Sequence, residues 1–244
     1  MPHIMRLALD IGRIRRAFPE RRIDYYPAIS STMHAAAKLE FGAAVVAEEQ
    51  SAGQGRHGHV WHSEPHAGIY CSIVLERQPV LTLALGLAAA EAIAQATGLA
   101  CDLRWPNDLM LGGKKVAGIL VQLVDGKAVA GIGINVNQGA FPAELAALAT
   151  SLRLEGGREF AREEILLELL RAVERFLEFD QESILRLFSQ ASSYACGRRV
   201  TVDLPDGEIE GVTAGLDADG YLVVRRDDGT DTLIVAGGVR AAGS

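Results

Sequence analysis

This chain has few cysteines, no excess of positive charge and no long apolar run. The three cysteines, Cys71, Cys101 and Cys196, lie far apart with no Cys-x-x-Cys pair. A disulfide framework and a thiolate zinc site are therefore excluded. They read as reduced thiols, at least two of them buried in strands. The longest apolar segment, residues 80–96, is interrupted by Thr82, Gly86, Glu91 and Gln95. It falls short of the roughly 18 residues that a membrane-spanning helix needs, so no membrane is expected as a partner. The first 22 residues carry scattered arginines and no continuous apolar stretch. No secretory signal is expected there, and the cytoplasm is the expected location. The net charge is −7, without the basic stripe of a nucleic-acid binder. No DNA partner is expected.

The chain does have material for a sizeable core. Its 244 residues are 49% hydrophobic and 23% charged, the balance of a soluble catalytic domain with a small appendage. Residues 6–18 pattern as a short helix. Residues 31–39 pattern as another, capped by Ser30 or Ser31 and stopped at Gly42. Strands are expected at 43–48 and 68–75. An alanine-rich helix follows over 81–97, ended by Gly98. Strands at 102–105, 115–123 and 128–137 come next, the last two joined by an Asp125-Gly126 turn. Residues 162–178 repeat apolar positions at helical spacing, and 183–189 form a further helix. Beyond Tyr194 the period changes to two. Short strands at 199–204, 208–214, 221–225 and 232–235 are punctuated by Pro205-Asp206-Gly207, 217–220 and Asp227-Asp228-Gly229. Such closely spaced strands suggest a small SH3-like barrel.

Three segments carry candidate chemistry. The first is Gly53-Gln54-Gly55-Arg56-His57-Gly58-His59-Val60-Trp61. Its glycines let backbone N–H groups approach an anion, and Arg56 offers a planar fork for carboxylate or phosphate. No Gly-Lys-Ser/Thr follows, so it is not a Walker A loop. The glycine spacing is also not that of a dinucleotide-binding turn. The structural alternative is a surface loop needing flexible turns. The second is Arg104-Trp105-Pro106-Asn107-Asp108, running on to Gly112-Gly113-Lys114-Lys115-Val116-Ala117-Gly118. Asn107 and Asp108 either make a plain turn or face a pocket from a strand end. Lys115 is then placed to point at the same site, while Lys114 reads as solvated. The third is Gly131-Ile132-Gly133-Ile134-Asn135. Alternation puts Gly131, Gly133 and Asn135 on one strand face, where a ligand or a packed helix can approach closely. Ser31-Thr32 reads first as a helix cap, which does not exclude ligand binding.

In this order and at these distances the three segments resemble the biotin–protein ligase family. Phe141-Pro142-x-Glu144-Leu145 and Ala149-Thr150-Ser151-Leu152 extend the match, from about Ser30 to the C-terminus. The resemblance implies an α+β fold, a mixed β-sheet with helices on one face, and an SH3-like C-terminal domain. It implies a catalytic domain over 1–194 and the small domain over 195–244. It is similar to the short form, without the helix-turn-helix of larger members, because only about 25 residues precede the matched region. The implied activity uses ATP with Mg²⁺ to convert biotin to biotinyl-5′-AMP, then transfers biotin to a lysine of a biotin carboxyl carrier protein. That acceptor belongs to acetyl-CoA carboxylase or a related carboxylase. A homodimer is left open. No metal site built from side chains is expected.

The resemblance assigns catalysis to Lys115, Arg56 and Asp108. It assigns biotin binding to Ser31, Thr32, Met33, Gln50, Gly53, Gln54, Gly55, Arg56, Tyr70, Ser72, Lys115, Gly118, Gly131 and Gly133. It assigns the nucleotide to Arg56, His57, His59, Trp61, Asn107, Asp108, Lys115 and Asn135. Several positions depart from the family pattern. Gln54 and His59 replace loop arginines, Met33 replaces an asparagine, and Arg104 replaces a lysine. A lipoate or octanoate transferase of related fold would lack the Trp-Pro-Asn-Asp segment and the C-terminal domain. A non-catalytic biotin-binding module would not need Lys115 and Arg56.

Overall fold

The structure is a computed structural model that describes residues 8–204 and 207–242. A seven-stranded sheet forms the body, in the order β1-β2-β3-β7-β6-β5-β4. Its strands are β1 Ile23–Tyr26, β2 Ala44–Ala47, β3 Gly68–Leu75, β4 Asp102–Arg104, β5 Asp108–Leu111, β6 Lys114–Val124 and β7 Lys127–Asn135. β1 runs parallel to β2, and the remaining neighbours are antiparallel. A parallel pair needs a crossover. Here the crossover carries α2, Thr32–Ala36.

Strand alternation decides which face each element covers. Ala44, Val46, Ile73 and Ala130 point into the main core. There they meet α1 Ile11–Ala17, α3 Leu81–Thr97, α5 Arg162–Phe176 and α6 Gln181–Ala191. Val45, Val74 and Val129 point the other way and pack on Met33 and Ala36 of α2. The long helices therefore share one face. The other face, away from α2, is left open for the loops that follow β2. The alanines of α3 bring α5 close, and Gly98 ends α3 at φ +78°, donating its N–H to Ala94 O at 2.9 Å. α5 buries Ile165, Leu166, Leu169, Leu170 and Val173, the stripe that its sequence period requires.

Between β6 and β7, Asp125 and Gly126 both take positive φ, the two-residue turn expected there. Gly112 and Gly113 do the same between β5 and β6. β5 itself was not expected, because Pro106-Asn107-Asp108 reads as an interruption of strand. The interruption is the turn from β4 into β5. Other boundaries also moved. α1 starts only after Asp10, whose side chain accepts from Arg13 N at 2.9 Å; the first seven residues of the expected helical region lie outside the described residues. α2 ends at Ala36 rather than 39. A short helix α4, Leu152–Gly156, was missed and is capped by Ser151, which accepts from Leu154 N at 3.1 Å.

The C-terminal part is a five-stranded antiparallel sheet in the order β11-β10-β9-β8-β12. The strands are β8 Cys196–Leu204, β9 Gly207–Leu216, β10 Leu222–Arg225, β11 Asp231–Ile234 and β12 Gly238–Ala241. β12 was not anticipated; two glycines precede Val239 and hid its alternation. The turn expected at Pro205-Asp206 lies outside the described residues. Trp105 ties the two sheets together, donating its Nε1–H to Gly220 O at 2.9 Å. The cysteines differ from expectation. Cys71 is buried in β3, where burial pushes its thiol up to about 12. Cys101 is half-buried just before β4, and Cys196 is exposed at the start of β8.

Candidate active site

On the open face, β6 and β7 present Gly118, Gly131 and Gly133. These form the floor of a cleft of about 450 Å³, its open mouth included. The glycines are there because side chains from elsewhere lie flat on the sheet. A Cβ on Gly133 would sit 2.4 Å from Trp61 Cε2, and one on Gly131 would sit 2.8 Å from Met33 Sδ. A Cβ on Gly118 would meet Lys115 Cε at 2.9 Å and Trp61 Cζ3 at 3.1 Å. Only a bare backbone leaves space over these strands for a flat ligand.

One wall is α2. Thr32 N donates to Gln50 Oε1 at 2.8 Å, and Thr32 Oγ1 reaches the same oxygen at 3.0 Å. Thr32 Oγ1 also shares a 2.8 Å bond with Ser72 Oγ. Gln50 Nε2 donates to Ser63 Oγ at 3.3 Å. The expected serine cap is therefore replaced. Ser31 occupies the N-cap position without a side-chain cap bond, and its buried Oγ has no protein partner. The helix start is held by the Gln50 carboxamide instead.

The glycine segment is a folded hairpin. Trp61 N donates to Gly53 O at 2.9 Å, Gly55 N to His59 O at 2.7 Å, and His59 N to Arg56 O at 3.0 Å. His57 is left-handed at φ +53°. Gln54 meets His34 of α2, with Nε2 to Nε2 at 3.1 Å. Arg56 turns toward the second segment, where Nη1 donates to Asn107 Oδ1 at 3.0 Å. Burial holds the Arg56 pKa below its usual value, with Asp108 opposing. Asn107 Nδ2 donates in turn to Ile119 O at 3.0 Å. Asp108 is bound by Lys115 Nζ at 2.5 Å and Arg104 Nη2 at 2.7 Å. Burial pushes its carboxyl up, but the two cations outweigh this and hold it below the usual carboxylate range. Lys115 Nζ also lies 5.6 Å from the centre of the Trp61 ring.

The cleft thus collects Thr32, Met33, Gln50, Gln54, Gly55 and Arg56 with Trp61, Tyr70, Asn107, Lys115, Gly118, Gly131 and Gly133. Other expected site residues stand off it. Ser31, Gly53 and Ser72 are buried behind the wall. His57 and His59 are exposed at the hairpin tip. Asp108 lies beneath Lys115. Asn135 is buried and donates through Nδ2 to Thr150 O at 3.0 Å. Lys114, read as solvated, donates to Ala146 O at 2.9 Å. It steadies the segment that also gives Leu148 O to Lys115 N at 2.8 Å.

Four participants were not foreseen. His34 holds Gln54, and Ser63 holds Gln50. Buried Gln138 links the Tyr70 hydroxyl at 3.4 Å to Asn135 Oδ1 at 3.3 Å. Ile119 lines the cleft between Gly118 and Leu120. Gln138 was open to discovery, since it closes the Asn135-Val136-Asn137-Gln138 run. His34 and Ser63 carry no local signal.

A sheet with a glycine floor, a basic hairpin over it and a lysine–aspartate pair at its edge is the arrangement of a carboxylate-activating ligase. The Biotin/lipoate A/B protein ligase family matches residues 25–138, and the Biotin protein ligase C terminal domain matches 195–239. The chain is 31% identical over 233 residues to the bifunctional ligase/repressor BirA of Bacillus subtilis, covering 87% of this chain and 72% of that protein. It is 34% identical over 210 residues to the biotin–[acetyl-CoA-carboxylase] ligase of Mycobacterium tuberculosis, covering 81% and 77%. The solved biotin protein ligase of Aquifex aeolicus, in complex with biotin and ATP, superposes with a TM-score of 0.81 at 31% identity, covering 91% of this chain and 99% of that one. The chain belongs to the biotin protein ligase family.

Proposed function

We propose that this protein condenses biotin with ATP to biotinyl-5′-AMP and pyrophosphate, then passes the biotinyl group to a lysine of a biotin carboxyl carrier protein, releasing AMP. The observation that carries the reading is the glycine floor with Lys115 and Arg56 at its edge, within a fold shared with a ligase solved with biotin and ATP. The acceptor follows from the relatives named for acetyl-CoA carboxylase. Residues 1–194 act as the catalytic domain and 195–244 as the small C-terminal domain. Among the described residues no helix is long and apolar enough to cross a membrane. We place the enzyme in the cytoplasm, where such carboxylases work.

The chemistry follows from charge. A carboxylate does not react with an amine, so it must first attack the α-phosphorus of ATP. A mixed anhydride forms and the bond to pyrophosphate breaks. Two anions approach each other in this step. Fixed positive charge aimed at the developing phosphoryl oxygens therefore stabilises the transition state more than the ground state. Lys115, oriented by Asp108, and Arg56, oriented by Asn107, supply it. Asp108 stays ionised and held by two cations, so its role is to orient Lys115 rather than to accept a proton. The flat ring system of biotin lies over Gly131 and Gly133, with the polar groups of Thr32, Gln50 and the Gln54 hairpin at its rim. The buried Ser31 Oγ adds a further hydrogen-bonding group behind that rim. Ser72 and Tyr70 brace the wall. Gly53, Gly55 and Gly58 let the hairpin fold over the anhydride and exclude water. His57, His59, Trp61 and Asn135 complete the nucleotide end. The acceptor amine then attacks the acyl carbon and AMP leaves.

Mg²⁺ enters this scheme only with ATP. The carboxylate at the cleft, Asp108, is already engaged by Lys115 and Arg104. No group of three or more metal-ligating side chains occurs among the described residues. The residues do not make a cage for the ion, and we route no step through it. The test is pyrophosphate release from ATP with biotin, and with lipoate or octanoate in its place. Release with biotin alone is expected. Lys115→Ala should slow it by about 30- to 1000-fold, the loss of about 2–4 kcal/mol of transition-state stabilisation. Near-native rates in that variant would remove Lys115 from the mechanism.

A further inference from the structure

The hairpin over the cleft is tied down by side chains on two sides. Arg56 holds it to Asn107 in the turn between β4 and β5. On the opposite side Gln54 holds it to His34, which projects from α2 next to Met33. Gln54 pairs through its backbone with Val60, so the direction of its side chain is set by the hairpin. One end of its carboxamide meets His34. The other end, Oε1, is buried without a partner, and the residue lines the cleft. The two groups suit each other. A carboxamide and an imidazole each carry a donor and an acceptor, so either histidine tautomer can be met by turning the amide. An arginine at position 54 could only donate.

We propose that His34 is a positioning residue. Through Gln54 it latches the glycine hairpin across the cleft and sets how long the acyl-adenylate is kept from water before the acceptor arrives. This rests on the activity proposed above, but the latch itself does not need that activity to be measured. The latch spans two elements anchored to different strands, since α2 follows β1 and the hairpin follows β2. Releasing it frees one flank of the hairpin while the pairing of Gly53 with Trp61 and the Arg56 anchor persist. The expected motion is an opening on the α2 side, beside Met33 and the glycine floor. It does not require loss of the fold.

The test is a double-mutant cycle with two readouts. Limited trypsin digestion of the free full chain reports opening of the hairpin by the cleavage rate after Arg56. The rate of AMP appearance from enzyme loaded with biotin and ATP, without acceptor, reports leakage of the adenylate. His34→Ala and Gln54→Ala should each raise both rates by about two- to tenfold, the range of one net hydrogen bond. The double variant should be no worse than the poorer single. His34→Glu combined with Gln54→Arg rebuilds the contact as an ion pair and should return both rates to within about twofold of native. A merely structural role for His34 in α2 would not be rescued by this exchange. Native rates in His34→Ala, effects that multiply in the double variant, or faster cleavage without faster leakage would each overturn the proposal. If the native chain releases no pyrophosphate with biotin, the ligase reading falls, and the retention role falls with it. The digestion then still decides whether the latch exists.

Discussion

Gly133→Ala is the sharpest perturbation of the cleft. The added methyl would lie 2.4 Å from Trp61 Cε2, 2.6 Å from Cζ2 and 2.8 Å from Nε1. Carbon atoms rest near 3.5 Å apart, so the indole must retreat by about 1 Å. Trp61 is rigid and closes the hairpin through its bond to Gly53 O, so this retreat shifts the hairpin too. Both the methyl and the displaced ring take space from the ligand. Overpacking of this kind costs about 1–3 kcal/mol, which becomes about 5- to 150-fold in biotin affinity. Fold stability should change far less. Gly133 sits in a regular strand without positive φ, and alanine is better tolerated there than glycine. Gly131→Ala is the internal control. Its methyl meets the end of Met33, 2.8 Å from Sδ, and a flexible thioether can move aside. Calorimetric titration with biotin, alongside thermal melting, should rank the loss Gly133→Ala above Gly131→Ala with both melting points near native. A Gly133→Ala protein binding biotin within twofold of native, or the reverse ranking, would refute the account of the floor.

Other outcomes follow from charges the fold holds. Asp108→Asn should lower the rate of pyrophosphate release by about tenfold or more with a smaller change in biotin affinity, because Lys115 loses its 2.5 Å partner and its aim; unchanged turnover would show that Lys115 needs no orientation. Buried Glu48 binds Arg162 at 2.6 Å and accepts from Leu9 N and Tyr25 Oη–H. Burial raises its pKa, but these partners outweigh that and leave it lowered. Its contribution to stability is therefore full above the unfolded carboxyl value near 4.3 and fades as pH falls through the lower folded value. Glu48→Gln should cost about 3–5 kcal/mol at neutral pH by leaving Arg162 buried and unpaired, and should flatten the acid limb of the melting-point profile; an equally steep limb would place the acid sensitivity elsewhere. At the exposed tip, His57 and His59 contribute charge only when protonated. KM for ATP should rise with pH across about 6–7.5 in the native protein and not in a His57→Arg, His59→Arg variant; coincident profiles would leave these histidines without an electrostatic part.

Local rules carried much of the fold. α3 and α5 were legible because each has one apolar stripe and a defined end, Gly98 for α3. The β6–β7 hairpin was legible because Asp125-Gly126 suits only a tight turn. The pattern of Gly131, Gly133 and Lys115 named the floor and its cation from spacing and resemblance alone. What failed was whatever depends on a partner far along the chain. β5 and β12 read as turns because proline, asparagine and glycine dominate them, and pairing with β6 and β8 overrides that local preference. Ser31 was expected to cap α2, yet Gln50, brought over by β2, takes that bond.

The sequence by itself determined the elements whose periodicity, caps and turns lie within a few residues, and with them the family and the chemistry at stake. Only the tertiary structure decided which side chains meet. It seats Trp61 on Gly133, spends Asp108 on Lys115 and Arg104, commits Asn135 to Thr150, and joins His34 to Gln54 across twenty positions of chain. Those contacts are set by sheet order and by the burial of polar groups that must find partners, and neither is written in any local run of residues.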